Sequence, residues 1–93
     1  MKTLKKVPLK LVEVEFMPMI EEMKFGIVYY SQKFQIQNHL CVCGCGQITP
    51  FQICEGEWSL NIDNNKFTIT PSVLQRGGCK THYVISNSVA YII

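Results

Sequence analysis

Sulfur and imidazole side chains are concentrated in two short segments of this 93-residue chain. The first segment contributes His39, Cys41, Cys43 and Cys45, and the second contributes Cys79 and His82. Thiolates and imidazoles suit zinc, which is a borderline-soft ion without a geometric preference of its own. Two clusters that are remote in sequence therefore predict one metal site, which both segments complete.

Six side chains compete for the four places of a tetrahedral zinc site. The preferred set is Cys41, Cys43, Cys79 and His82, with Cys45 and His39 as alternates. Cys79 and His82 have the common Cys-x-x-His spacing, whereas the Cys-x-Cys spacing of the first segment is tighter than usual. The spacing alone leaves open whether His39 is a ligand, a hydrogen-bond donor to a sulfur or a catalytic group.

Two alternatives to metal binding are weaker. The chain has five cysteines, and an odd count rules out complete internal disulfide pairing. Burial as small apolar side chains is the usual fate of free cysteine, but three cysteines within five residues, beside glycines, disfavour it. Cys54 stands apart from both clusters, and for this residue a buried or half-buried thiol is expected.

Catalytic groups are less evident than metal ligands. A zinc hydrolase requires an open coordination position and a group that moves protons, for which His39 and Glu57 are the candidates. A serine triad would require Ser72 or Ser59 with Asp63, the only aspartate. No nucleophile-elbow sequence surrounds either serine, so serine hydrolysis is not predicted.

Strand-like patterns dominate the segments that must position these side chains. Apolar residues alternate with polar ones over residues 12–16, which predicts a strand. The same alternation over residues 58–62 and over residues 67–69, with the turn formers 63–65 between these two segments, predicts a hairpin. A second hairpin is predicted over residues 83–93, and residues 19–25 allow one helical turn at most. Residues 34–41 are predicted to form a strand that delivers His39 and Cys41 to one face.

The predicted fold is mainly β. We expect a small antiparallel sheet or partly open barrel of hairpins, of rubredoxin-like or Rieske-like character, with at most one short helix. Residues 1–93 are expected to form a single domain, with residues 1–10 as a basic arm that is free to be flexible. So short a chain offsets its conformational entropy only narrowly by apolar burial, so a metal that staples the hairpins would help.

Charge and hydropathy limit the partners and the compartment. The net charge is +2, and a basic start alone falls short of a nucleic-acid footprint, so a protein partner is expected instead. No stretch approaches the ~20 apolar residues that span a bilayer, and no signal peptide is predicted. Free cysteines in such a chain favour a reducing cytoplasm.

The cysteine–glycine segment of residues 39–46 also supports a resemblance to a known family, together with Thr49-Pro50, Trp58-Ser59-Leu60, Pro71-Ser72 and Cys79-Lys80-Thr81-His82-Tyr83. From about residue 16 to residue 91 the chain resembles the uncharacterised bacterial family catalogued as domain of unknown function 6527. The resemblance implies a small metal-binding domain, some relatives of which occur near ubiquitin-like conjugation or defence genes. Val42, where proline is frequent, and the added Cys54 depart from the pattern.

Three functional hypotheses follow. The favoured one is a binding or adaptor module with structural zinc, since four protein ligands leave no place for water. The second is a zinc-dependent hydrolase that acts on a peptide or isopeptide bond. The third is an iron–sulfur or thiol redox protein, because Cys-x-Cys followed at a distance by Cys-x-x-His is similar to the ligand sets of two-iron centres.

Overall fold

Two β-sheets account for almost all of the regular structure. The computed structural model describes residues 5–93. In this range the strands are β1 Lys5–Pro8, β2 Lys10–Glu13, β3 Ile27–Ser31, β4 Ile36–His39, β5 Phe51–Gln52, β6 Ser59–Asp63, β7 Lys66–Leu74, β8 His82–Ser86 and β9 Val89–Ile92. One 3-10 turn, Ile20–Glu22, is the only helical element of the described residues. The prediction of a mainly β fold with at most one short helix is confirmed.

The larger sheet contains both predicted hairpins. Its five strands have the order β1-β9-β8-β7-β6, and every neighbouring pair is antiparallel. The β6–β7 turn places Asn64 and Asn65 at φ angles of 52° and 66°, and the β8–β9 turn places Asn87 and Ser88 at 50° and 64°. Positive φ at both central residues matches the twist of a two-residue hairpin, and asparagine tolerates it well.

The smaller sheet has the order β2-β3-β4-β5 and includes one parallel pair, β2 with β3. A parallel pair needs a crossover of a dozen or more residues, and residues 14–26, which include the 3-10 turn, provide it. No helix of the described residues has the length and apolar character needed to cross a membrane.

The predicted basic arm is partly structured. Lys5–Pro8 is strand β1, which pairs with β9, and Val7 is buried in the core. The next strand, β2, begins at Lys10. The first part of the predicted arm, residues 1–4, lies outside the described residues.

A single apolar cluster joins the two sheets to the first cysteine loop. Its buried members are Val7, Leu9, Val28, Cys41, Val42, Phe67, Ile69, Val73, Tyr83, Ile85 and Ala90. Because Cys41 and Val42 are fully buried members of this cluster, the loop after β4 is anchored to the core. Apolar burial, the main favourable term in folding, therefore also positions the first sulfurs.

An irregularity in β7 shapes the surface next to the second cysteine loop. Ile69 pairs with Ile85 and Val73 pairs with Tyr83, so three residues of β7 face the single residue between them on β8. The bulged segment contains Pro71, which cannot donate a ladder hydrogen bond, and Ser72. Bulges of this kind redirect side chains at the surface of a sheet.

Candidate functional site

Four cysteine sulfurs from two loops lie together. Cys41, Cys43 and Cys45 belong to the connection between β4 and β5, and Cys79 belongs to the connection between β7 and β8. Their Sγ atoms all lie within 4.8 Å of one another. The Sγ–Sγ distance is 3.5 Å between Cys41 and Cys43, and 3.6 Å from Cys79 to both Cys41 and Cys45.

These distances fit the coordination shell of one ion. Tetrahedral zinc with bonds of about 2.3 Å holds its sulfurs about 3.8 Å apart. A disulfide would require about 2.05 Å, and all five cysteines are free. Gly44 and Gly46 have φ angles of 90° and 84°, which let the loop wrap around the sulfurs. The four thiols are therefore close enough to hold a single metal ion.

The protein environment shifts the pKa values of Cys41 and Cys79 in opposite directions. Burial raises the pKa of Cys41 from 9.0 to about 12. Hydrogen bonds from the side chain and the backbone of Thr81 lower the pKa of Cys79 to about 6. A thiol must lose its proton to bind a metal, so Cys79 is prepared as a thiolate, whereas Cys41 needs a nearby cation to become one.

His82, a member of the preferred ligand set, does not lie in this group. Its Nε2 atom is 2.8 Å from the Oγ atom of Ser72 on the adjacent strand β7. Val73 and Tyr83 point into the core, so Ser72 and His82, which precede them, are both on the outer face of the larger sheet. Cys45 occupies the place in the sulfur group that the sequence assigned to His82.

His39, the other histidine, is deeply buried and is bonded at both ring nitrogens. Its Nδ1 atom is 2.7 Å from Oε1 of Gln37, and its Nε2 atom is 2.6 Å from the hydroxyl of Tyr83. The side-chain amide of Gln37 donates to the carbonyl oxygen of Thr49, so its Oε1 accepts from Nδ1–H of His39. Nε2 of His39 therefore accepts from the Tyr83 hydroxyl.

This buried polar network connects the two sheets. Gln37 and His39 belong to β4, and Tyr83 belongs to β8. Gln75 extends the network, since its side-chain amide donates to Oγ1 of Thr49 at 2.8 Å. Burial lowers the pKa of His39 to about 4, so the ring is neutral at pH 7. No buried side-chain nitrogen or oxygen of the described residues lacks a partner.

The remaining sequence candidates lie elsewhere. Glu57 is exposed in the connection between β5 and β6, and its backbone N–H donates to the carbonyl of Cys54 at 3.0 Å. Cys54 is half-buried and outside the sulfur group. The catalytic candidates His39 and Glu57 are therefore separated, one in the core and one on a surface loop.

Ser72 is the residue that sequence reasoning did not select. Two sequence signals were available for it: Pro71-Ser72 is part of the family resemblance, and this serine stands ten residues before a histidine, with a glycine pair between them that permits a hairpin. The register places Leu74, not Ser72, directly opposite His82. The bulge and the length of the histidine side chain bring Ser72 within hydrogen-bond distance, and neither can be derived from spacing alone.

Comparison with known proteins gives one match. The model of a family described as "Bacterial ubiquitination-like system serine protease (BubE)" matches residues 13–93. The expected link to a bacterial ubiquitin-like system is thereby confirmed, under a family name other than domain of unknown function 6527. The description names a serine protease, not a zinc hydrolase. Neither the curated proteins nor the solved structures include a match.

Proposed function

The chain belongs to the BubE family of bacterial ubiquitination-like systems, and from this premise we propose that it is a serine protease with Ser72 as nucleophile and His82 as general base. The observation that carries the proposal is the 2.8 Å contact between Oγ of Ser72 and Nε2 of His82. The chain has two histidines, and His39 is sealed in the core. Ser72 is half-buried on the outer face of the sheet, so only His82 can serve it as a base.

The reaction proposed for this pair is acyl transfer. Nε2 of His82 accepts the proton of the Ser72 hydroxyl while Oγ attacks the carbonyl carbon of a peptide or isopeptide bond. The C–N bond breaks, and His82 gives the proton to the departing amine. Water then attacks the ester carbonyl, again with His82 as base, which releases the carboxylic acid and restores Ser72.

The site is proposed as a dyad. In the described part of the chain, no carboxylate is hydrogen-bonded to Nδ1 of His82. Serine hydrolases use catalytic pairs of a serine and a base as well as triads, because the minimum requirement is a nucleophile and a base at hydrogen-bond distance. Ser72 and His82 meet that requirement through the antiparallel pairing of β7 with β8.

We further propose that Cys41, Cys43, Cys45 and Cys79 bind zinc and that its role is structural. Four thiolates complete a tetrahedral shell and leave no position for water. Cys79 precedes His82 by three residues, so an ion at this site would hold the β7–β8 connection against the core-anchored loop of Cys41. Metal analysis distinguishes zinc from iron, and an iron–sulfur cluster would add visible absorption.

The proposed setting is the bacterial cytoplasm, where thiols remain reduced and available to the metal. The proposed partners are proteins of the ubiquitination-like system. Residues 1–93 would act as one unit, because the apolar cluster draws residues from both sheets.

Labelling with a fluorophosphonate, which modifies activated serines, tests the nucleophile directly. We expect one adduct, located at Ser72 by peptide mapping and absent from Ser72→Ala. Ser59→Ala is the matched control, since Ser59 is an exposed strand serine of the same sheet, and should label like the wild type. His82→Gln should slow labelling by roughly a hundredfold or more. Equal labelling of Ser72→Ala would refute the proposal.

A further inference from the structure

Part of β7 next to the Ser72–His82 pair has no neighbouring strand on one side. The ladder between β6 and β7 begins with the pair Asp63–Lys66 and ends with the pair Ser59–Thr70. Strand β7 continues beyond Thr70, but its pairing with β6 does not. Within residues 5–93, no strand continues along residues 71–74 on that side of β7. This segment is therefore an open sheet edge that begins at the proposed nucleophile.

The hydrogen-bond pattern shows which backbone groups face the open edge. The N–H of Gln75 donates to the carbonyl of Thr81 on the β8 side at 2.8 Å. Successive residues of an antiparallel strand direct their N–H and C=O groups to opposite sides. Leu74, one residue earlier, therefore directs its N–H and C=O away from β8, towards the open edge.

Two further hydrogen bonds agree with this assignment. The indole Nε1–H of Trp58 donates to the carbonyl of Ser72 at 3.4 Å from the open side, as expected two residues before Leu74. On β8, the carbonyl of His82 accepts from the N–H of Ile93 at 2.9 Å, on the side away from β7. Leu74 and His82 thus form a non-hydrogen-bonded pair, which leaves the backbone groups of Leu74 free for another chain.

A mainly apolar cavity of about 260 Å³ borders this edge. Ile48, Phe51, Trp58 and Leu74 are among the apolar residues of its lining, which also includes Thr49, Gln75 and Arg76. The rings of Phe51 and Trp58 are stacked, with centroids 4.5 Å apart and planes inclined by 27°. Because the indole of the same Trp58 donates a hydrogen bond to the carbonyl of Ser72, the aromatic wall of the cavity lies next to the proposed nucleophile.

Resting on the proposed protease function, we propose that the substrate is an extended peptide whose acyl side binds as an added strand along this edge. Its backbone would pair with the N–H and C=O of Leu74, and one apolar side chain would contact Trp58 and Phe51. Leu74 lies two residues from Ser72, about 7 Å along the strand, so the paired residue is close to the scissile bond.

This geometry selects the class of substrate. A helix uses its own backbone groups internally, so only an extended segment can satisfy an open edge. The amine half of the substrate departs after the first step, whereas the acyl half stays bonded to Ser72. An edge that holds the acyl half therefore serves both steps, and an unstructured protein tail fits it better than a folded segment.

Peptidyl phosphonates test the strand pairing without altering the protein. The reagents are tripeptidyl diphenyl phosphonates that carry leucine at each position in turn, a matched series with glutamate, and a series with one backbone amide N-methylated at a time. We expect at least one N-methylation, and glutamate at one position, to slow modification of Ser72 tenfold or more. Modification by a simple fluorophosphonate, which has no peptide, provides the reference.

The outcomes separate this inference from the proposed function. If the fluorophosphonate modifies Ser72 but the peptidyl reagents do not, or if all N-methylated reagents react within twofold of the parent, strand docking at Leu74 is refuted and the nucleophile stands. If the fluorophosphonate leaves Ser72 unmodified, the proposed function fails and the docking proposal fails with it.

Discussion

His39 and His82 carry the same imidazole in opposite surroundings. His39 is 1% exposed, and both of its ring nitrogens are bonded to buried side chains. His82 is exposed and shares Nε2 with a serine hydroxyl at the outer face of the larger sheet. The comparison shows that burial and the choice of partners, more than residue type, separate a structural imidazole from one available for proton transfer.

The sulfur group connects these two regions. Cys41 follows His39 by two residues and is buried in the core, whereas Cys79 precedes His82 by three residues and is exposed. An ion held by both would tie the interior network to the surface pair. Substitutions in each region should show whether the stability of the interior and the activity of the surface pair can be changed independently; they follow from the largest expected effect to the smallest.

Loss of the sulfur group should damage both histidine regions at once. We expect Cys79→Ser to lose the metal and to unfold, because structural zinc in small modules supplies on the order of 10 kcal/mol of apparent folding free energy. Circular dichroism and metal content measure this effect. Cys54→Ser is the control and should leave thermal stability almost unchanged, since Cys54 lies outside the group. Equal losses in both variants would contradict the ligand assignment.

Loss of the surface pair should abolish activity without affecting the fold. Ser72→Ala and His82→Gln should each lower kcat/KM for peptide hydrolysis by roughly a thousandfold or more. Their free energies of unfolding should remain within about 0.5 kcal/mol of the wild type, because both positions are on the outer face. Kinetics and urea unfolding of the same samples provide both values. A stability loss comparable to that of a core variant would assign the pair a structural role.

The interior histidine should govern how stability depends on pH. Folding lowers the pKa of His39 from 6.5 to about 4, so between these values the unfolded chain binds a proton that the folded protein excludes. The free energy of unfolding should therefore fall by up to about 3 kcal/mol as the pH drops through this window. The His39→Gln variant should lose this pH-dependent part of its free energy of unfolding. Urea unfolding at a series of pH values measures it for both proteins, and the difference between the two pH profiles cancels the contribution of the cysteines, which both proteins contain. Parallel profiles would contradict the prediction.

The smallest effect concerns a single hydrogen bond of the interior network. Tyr83→Phe leaves Nε2 of His39 buried without its donor, which should lower the free energy of unfolding by about 1–3 kcal/mol. Labelling of Ser72 by a fluorophosphonate should proceed at the wild-type rate once the variant is folded. A large loss of labelling with intact stability would show that the two regions are coupled through β8.

Much of the fold could be predicted from local patterns. The two hairpins of the larger sheet follow from alternating residues around Asn64 and Asn87, where short polar side chains accept positive φ. The parallel pairing of β2 with β3 could not be predicted in this way. It depends on how a 13-residue crossover packs, and alternation in β2 does not indicate the direction of its neighbour.

The sequence by itself determined that this chain is β-rich and that it carries two sulfur-containing segments able to share an ion, because residue type, turn chemistry and period-two alternation act over a few neighbours. Only the tertiary structure decided that Cys45 joins the sulfurs, that His82 turns to Ser72 and that His39 is sealed inside. The first and the last depend on how β4 and the loop after it pack against the larger sheet. The contact of His82 with Ser72 depends on the bulge in β7 and its register with β8. A shift of one residue in that register would exchange the inner and outer faces, and no local pattern specifies it.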